Sequence, residues 1–205
     1  MYRPPAFCED RKEVLHEAIR RHPLATLITC GQSGLVANVV PFNLRENGET
    51  GVLCAHLAKA NEQIADLKEG VPALIVFQGP QGYVTPSWYP TKLEHGKVVP
   101  TWNYVIVQVR GTPRIIDDST WLSGQLSELT DKHEHGRERP WSMNDAPADF
   151  IAGQMKGIVG LEVPIERIEG KWKISQNRST ADRQGVQNGL REGGFAELAD
   201  LVADR

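Results

Sequence analysis

The sequence predicts a mainly β protein with peripheral helices, rolled into a small closed or half-closed antiparallel barrel. Three observations carry that prediction. About seven segments have strand composition, most neighbours are joined by short turn signals, and the helical segments fall at the edges with no β-α-β alternation. The chain has 205 residues, 40% hydrophobic and 24% charged, which is the composition of a folded soluble protein. A single domain spanning 1–205 is therefore expected. A chain of this length buries roughly 70% of the surface its unfolded form exposes, so its core needs no metal or disulfide staple.

The elements follow in order. Asp10, with Glu13 three residues on, has capping-box spacing for a first helix, and Val14, Leu15, Ala18 and Ile19 form its apolar stripe before Pro23. LATLITC (24–30) and LVANVVPFNL (35–44) read as strands around a GQSG turn, and Asn47-Gly48 leads into a third, GVLCAHLA (51–58). NEQIADLKE (61–69) reads as a helix stopped at Gly70-Val71-Pro72, and ALIVFQG (73–79) as a buried strand. Residues 83–104 are rich in Trp, Tyr and Pro. A long strand with a bend at Gly111-Thr112-Pro113 follows over 105–117, then a helix over 119–132 with Trp121, Leu122, Leu126 and Leu129 at helical spacing. After a polar connection (133–147) come a short helix around Phe150–Met155 and a hairpin over 158–174 turning at Glu169-Gly170. A helical tail closes the chain.

Composition narrows the function. With 23 Lys and Arg against 26 Asp and Glu, the formal net charge is -3, which offers no general field for a phosphate backbone, so nucleic-acid binding needs a local basic patch. Arg11, Lys12, Arg20 and Arg21 on the first helix are the one such face, and they equally suit the solvated side of a packed helix. Cys8, Cys30 and Cys54 are odd in number and form no CxxC, so they read as reduced thiols in a cytoplasm. No apolar run approaches the roughly 20 residues of a membrane span, and the N-terminus lacks a signal-peptide core.

No Walker loop, GxGxxG, GxSxG or HExxH occurs, which sets aside the standard phosphate-loop and hydrolase chemistries. His133 and His135 lie in a polar loop with no further ligands near in sequence, so no metal site is expected. Three segments remain as candidate sites. HLAKAN (56–61) joins a strand to a helix, where Lys59 suits a phosphate and Asn61 suits either a ligand or the helix cap. Trp88, Tyr89, Trp102 and Tyr104 suit a planar ligand, a core or an interface. KWKISQNR (171–178) ends a strand in a dense set of donors and acceptors. No catalytic residue can be singled out.

MYRPPAF, AHLAKAN, FQGPQGYVTPSWYPTK, VVPTWNY, GIVGLEVPI, EGKWKISQNR and DRQGVQNGL run in order over nine tenths of the chain. Together they resemble the PaiB family of bacterial FMN-binding negative transcriptional regulators. The resemblance implies a split antiparallel β-barrel, a homodimer and FMN at the subunit interface. It places Asn38, Val39 and Pro41 near the flavin ring and Lys59, with its neighbours His56 and Asn61, at the phosphate. Trp102, Asn103 and Tyr104 approach from across the interface, and Ser175, Gln176, Asn177 and Arg178 close the site. Lys59 stands where the family more often has Arg, which keeps the charge and loses the bidentate fork. Ala55 stands where Gly is common. The expected function is a cytoplasmic, flavin-dependent regulator whose effect on DNA is weak or indirect. The alternative is an FMN-dependent oxidoreductase or flavin reductase using NAD(P)H, compatible with the same fold.

Overall fold

The computed structural model describes residues 1–32 and 34–203. In chain order the described strands are β1 (Cys8–Glu9), β2 (Leu24–Gly31), β3 (Gly34–Pro41), β4 (Asn43–Arg45), β5 (Val52–Ala58), β6 (Ala73–Val84), β7 (Thr101–Gly111), β8 (Arg114–Ile116), β9 (Ile158–Pro164) and β10 (Arg167–Lys173). The helices are α1 (Lys12–Arg21), α2 (Gln63–Lys68), α3 (Thr91–His95), α4 (Ser119–Glu134), α5 (Ala148–Lys156), α6 (Thr180–Glu192) and α7 (Ala196–Ala203). No described helix is long and apolar enough to cross a membrane. The chain divides into two compact units: Met1–His22, Phe77–Gln108 and Ile168–Arg205 form one, and Pro23–Val76 with Val109–Arg167 form the other.

In the first unit the strand order is β1-β10-β7-β6. Leu15 and Ile19 of α1, Val105 and Val107 of β7, Trp172 of β10 and Leu190 of α6 are buried there. The unit's helices dock through particular contacts. A Cβ on Gly189 of α6 would lie 2.2 Å from the Trp88 ring, so only glycine lets α6 approach that aromatic. Ser179 caps α6 by accepting from the Asp182 amide at 3.2 Å, while the Asp182 carboxylate accepts from the Thr91 hydroxyl at 2.9 Å. Trp88 is therefore packed against a helix, the structural one of the fates open to it.

In the second unit β2 and β3 form an antiparallel hairpin from Leu24↔Pro41 to Gly31↔Gly34. Ser33, in its expected GQSG turn, lies outside the described residues. A four-stranded sheet runs β4-β5-β9-β8, with β5 and β9 paired from Val52↔Pro164 to Ala58↔Ile158. Phe42, Leu53, Leu57, Leu122, Leu161 and Val163 are buried in this unit. Trp121 of α4 packs against the sheet at Gly160, where a Cβ would meet its ring at 2.3 Å, and its Nε1 donates to Glu162 at 2.8 Å.

Four local expectations differ. The hairpin expected over 158–174, turning at Glu169-Gly170, does not form: β9 and β10 belong to different sheets, and Gly170 lies inside β10, paired with Glu9 of β1. Asp10 does not cap α1: the helix begins after Arg11, whose amide donates to Glu9 Oε1 at 3.0 Å, and Asp10 instead pairs with Arg3. The strand expected over 35–44 is broken at Phe42, whose amide donates to Pro23 O and whose ring is fully buried, so β3 and β4 belong to different sheets. β6 continues past Gly79-Pro80 to Val84.

Candidate functional site

Strand alternation sorts the residues expected at the flavin. Successive side chains on β3 point to opposite faces, and the hairpin has one buried and one open face. Ala25, Leu27, Thr29 and Val40 turn inward. Leu24, Leu35 and Val39 turn outward at 59%, 77% and 64% exposure, with Ala37 beside them. Val39 and Pro41 thus belong to an open apolar face, and the Asn38 side chain belongs to the other. β3 is also an edge strand whose hydrogen-bonded neighbour is β2, so its outer backbone amides and carbonyls remain available to a ligand.

Beneath that hairpin sits a residue the sequence reading missed. Gln63, the first residue of α2, is 1% exposed. Its Nε2 donates to Leu27 O at 3.1 Å, Thr29 Oγ1 at 3.2 Å and Val36 O at 3.3 Å, and its Oε1 accepts from Asn38 Nδ2 at 3.0 Å. Its backbone amide donates to Asn61 Oδ1 at 2.9 Å. One buried glutamine thereby ties Asn38 of β3, through its side chain, and Asn61 of the β5–α2 turn, through its backbone amide, into a single network. Thr29 extends it by donating to Asp66 at 2.9 Å. A polar side chain two residues after a capping Asn was the available signal, and it looked like an ordinary first-turn residue.

The remaining residues of HLAKAN point elsewhere. Lys59 is exposed, and its ammonium pairs with the exposed Asp117 carboxylate at 3.0 Å. His56 turns toward α4, with Nδ1 3.1 Å from Gln125 Oε1. The ring borders an apolar cavity of about 280 Å³ with Leu126, Trp141, Met143, Met155 and Ile158.

In the first unit the second group of expected residues divides in the same way. Trp102 is half exposed and meets Tyr83 edge-on at 6.1 Å. Asn103 is buried and exchanges hydrogen bonds with the buried Ser175 hydroxyl, at 2.9 and 3.2 Å. Gln176 folds back on its own turn, accepting from the Ile174 amide at 2.8 Å and donating to Trp172 O. Asn103, Ser175 and Gln176 therefore shape the turn, while Tyr104, Asn177 and Arg178 remain at least partly accessible. The Arg178 guanidinium lies 4.8 Å over the Tyr89 ring.

FMN asks for a flat apolar surface, polar groups at the rim of its ring and a cation for its phosphate. The residues present fit these demands. The open face of β2 and β3 supplies the surface, the unpaired edge of β3 supplies backbone donors and acceptors, and Lys59 supplies a cation. Its pair with Asp117 is solvent-exposed, and such pairs contribute at most about 1 kcal/mol, so the ammonium is readily redirected.

Comparison with known proteins shows the family and the fold. A protein of Emericella nidulans is 36% identical over 245 residues, covering 100% of this chain and 97% of its own length. "Protease synthase and sporulation protein PAI 2" of Bacillus subtilis is 26% identical over 208 residues, covering 100% of this chain and 98% of its own length. Among solved structures, the FAD and heme binding protein from Mycobacterium smegmatis superposes with a TM-score of 0.58 at 20% identity, covering 81% of this chain and 73% of that one. The likeness shows the fold, a mainly β, split-barrel type with peripheral helices. The family model described as "Putative FMN-binding domain" matches residues 1–167; the chain belongs to that family, and its cofactor is FMN.

Proposed function

We propose that the chain is a flavin-dependent sensor acting as a homodimer in negative transcriptional regulation, its two units serving as one FMN-binding domain. In this reading the ring lies on Val39 and Pro41, with the backbone of Asn38 at its edge. Lys59 holds the phosphate, with His56 and Asn61 bordering it. Trp102, Tyr104, Asn177 and Arg178 approach across the subunit interface, positioned by Asn103, Ser175 and Gln176. Bound FMN supplies reversible electron transfer, the chemistry a redox signal requires. The observation that carries the reading is the open apolar face around Leu35 and Val39. Proteins cover such faces and such strand edges, and a flavin together with a second subunit covers both.

The first helix supports an indirect effect on DNA. Arg11 pairs with Glu9 at 2.7 Å, Arg20 with Glu17 at 3.9 Å and Arg21 with Glu197 at 3.1 Å. Three of the four cations on that face thus already have carboxylate partners, which leaves little charge for phosphates. The test joins a DNA mobility-shift salt series to NADH and NADPH oxidation assays on FMN-loaded protein. The reading expects weak, non-selective shifts and no steady turnover. Tight sequence-selective shifts would make it a direct DNA binder, and turnover at about 1 per second or above would make it an oxidoreductase.

A further inference from the structure

The end of β10 and the turn after it gather three cations, Lys171, Lys173 and Arg178. Lys171 is 8% exposed, its Nζ 5.3 Å from the centroid of the Tyr104 ring and 5.4 Å from that of Tyr2. Lys173, two residues on and so on the same strand face, lies 5.9 Å from the Tyr104 ring. Among the described residues neither lysine nor Arg178 forms an ion pair. Burial, and then the like charges of Lys171 and Arg178, hold the Lys173 ammonium below the usual lysine range. A protein that keeps such a group charged pays in desolvation and repulsion, and a bound anion reverses both.

The surrounding backbone is built rather than incidental. Ser175 has φ 64°, the one non-glycine positive φ among the described residues, and such left-handed residues concentrate at ligand sites. Its hydroxyl bond to Asn103 and the two bonds of Gln176 hold that conformation. The turn encloses a cleft of about 70 Å³ bordered by Phe7, Thr101, Lys173, Asn177 and Arg178. Lys173 donates to Thr101 Oγ1 and Trp102 O, leaving one of its three N–H groups free. The cleft is far below the roughly 300 Å³ at which sites for drug-sized ligands begin. Its volume suits a small charged group and is too little for a flavin ring.

We propose that this cleft is a binding site for a phosphoryl-sized dianion, with Lys173 and Arg178 as its charged donors and Asn177 as its neutral one. The proposal deepens the flavin reading, which already sets Asn177 and Arg178 near the ligand, but its anion has two sources: the phosphate of FMN or that of a second ligand. The test is calorimetric titration of inorganic phosphate into the flavin-free full chain at constant ionic strength. Wild type should bind saturably, Lys173→Met and Arg178→Gln should each weaken binding by about 10-fold or more, and Arg178→Lys should restore most of it. Asn177→Ala, at an exposed position, should weaken binding several-fold and serves if Lys173→Met does not fold. Repeating the titration with saturating flavin separates the sources. Competition by FMN but not riboflavin assigns the cleft to the flavin phosphate, and undiminished phosphate binding to FMN-loaded protein assigns it to a second phosphorylated ligand. Absence of saturable binding in wild type, or equal affinity in wild type and variants, would overturn the proposal. Flavin fluorescence, read separately, reports on FMN binding itself.

Discussion

Replacing Gln63 with methionine tests whether the network under the β2–β3 hairpin holds Asn38 and the turn in place. Methionine keeps the length of the side chain and fills its volume, so the change isolates hydrogen bonding. Three acceptors share two Nε2 hydrogens, and Asn38 adds one bond to Oε1, so about three full bonds are lost. At about 1 kcal/mol net per bond the cost is about 3 kcal/mol. For a chain of this size each kcal/mol moves Tm by about 2–4 °C, which places the expected drop at about 6–12 °C in a circular-dichroism melt. The Asn61 cap uses the backbone amide of residue 63 and survives, so Asn61→Ala should cost a separate amount of about 1 kcal/mol. A shift below about 2 °C for Gln63→Met would refute the network as a source of stability.

Lys59→Ala should weaken FMN binding by about 1.5–3 kcal/mol in a fluorescence titration, while Asp117→Asn should leave affinity equal or slightly tighter; unchanged affinity in Lys59→Ala removes that residue from the site. Cys30 is exposed and Cys54 fully buried, with burial as the main cause pushing the Cys54 thiol up to about 11. A thiol reagent at pH 8 should therefore modify Cys30 quickly and Cys54 only on unfolding. Because the unfolded thiol ionises near 8.5 and the folded one near 11, the unfolded state binds fewer protons between them. Stability should then fall as pH rises through that window, and Cys54→Ala should flatten the fall. Gly189→Val forces a Cβ onto the Trp88 ring and should cost about 1–3 kcal/mol by overpacking, read by denaturant midpoint.

Much of the fold was legible because it is local. The strand composition of β5 and β9, the apolar spacing of α4 and the turn pair at Asn47-Gly48 each specify themselves within a few residues. The break at Phe42 was not legible, since leaving one sheet for another is decided by the amide of Phe42 meeting Pro23 O, a contact that leaves no mark in the pattern LVANVVPFNL. The same limit applies to the site. Residue type and spacing drew attention to HLAKAN and KWKISQNR, and strand period alone separates Asn38 from Val39. Sequence did not reveal that Asn103, Ser175 and Gln176 spend their polar groups on one another and on their own turn. Nor did it reveal that Gln63 is the centre of the β3–α2 network, because both facts depend on which neighbours folding supplies.

The claim that the open β2–β3 face carries both flavin and partner is tested most directly by light scattering of FMN-loaded protein during size-exclusion chromatography. Wild type and the double variant Leu35→Asp, Val39→Asp are compared, both changes falling at exposed positions that leave the core intact. Wild type should elute yellow at about twice the chain mass of 22.8 kDa, and the variant should elute colourless at about 22.8 kDa. A wild type that is monomeric with FMN bound, or a variant that stays dimeric and yellow, would contradict the account.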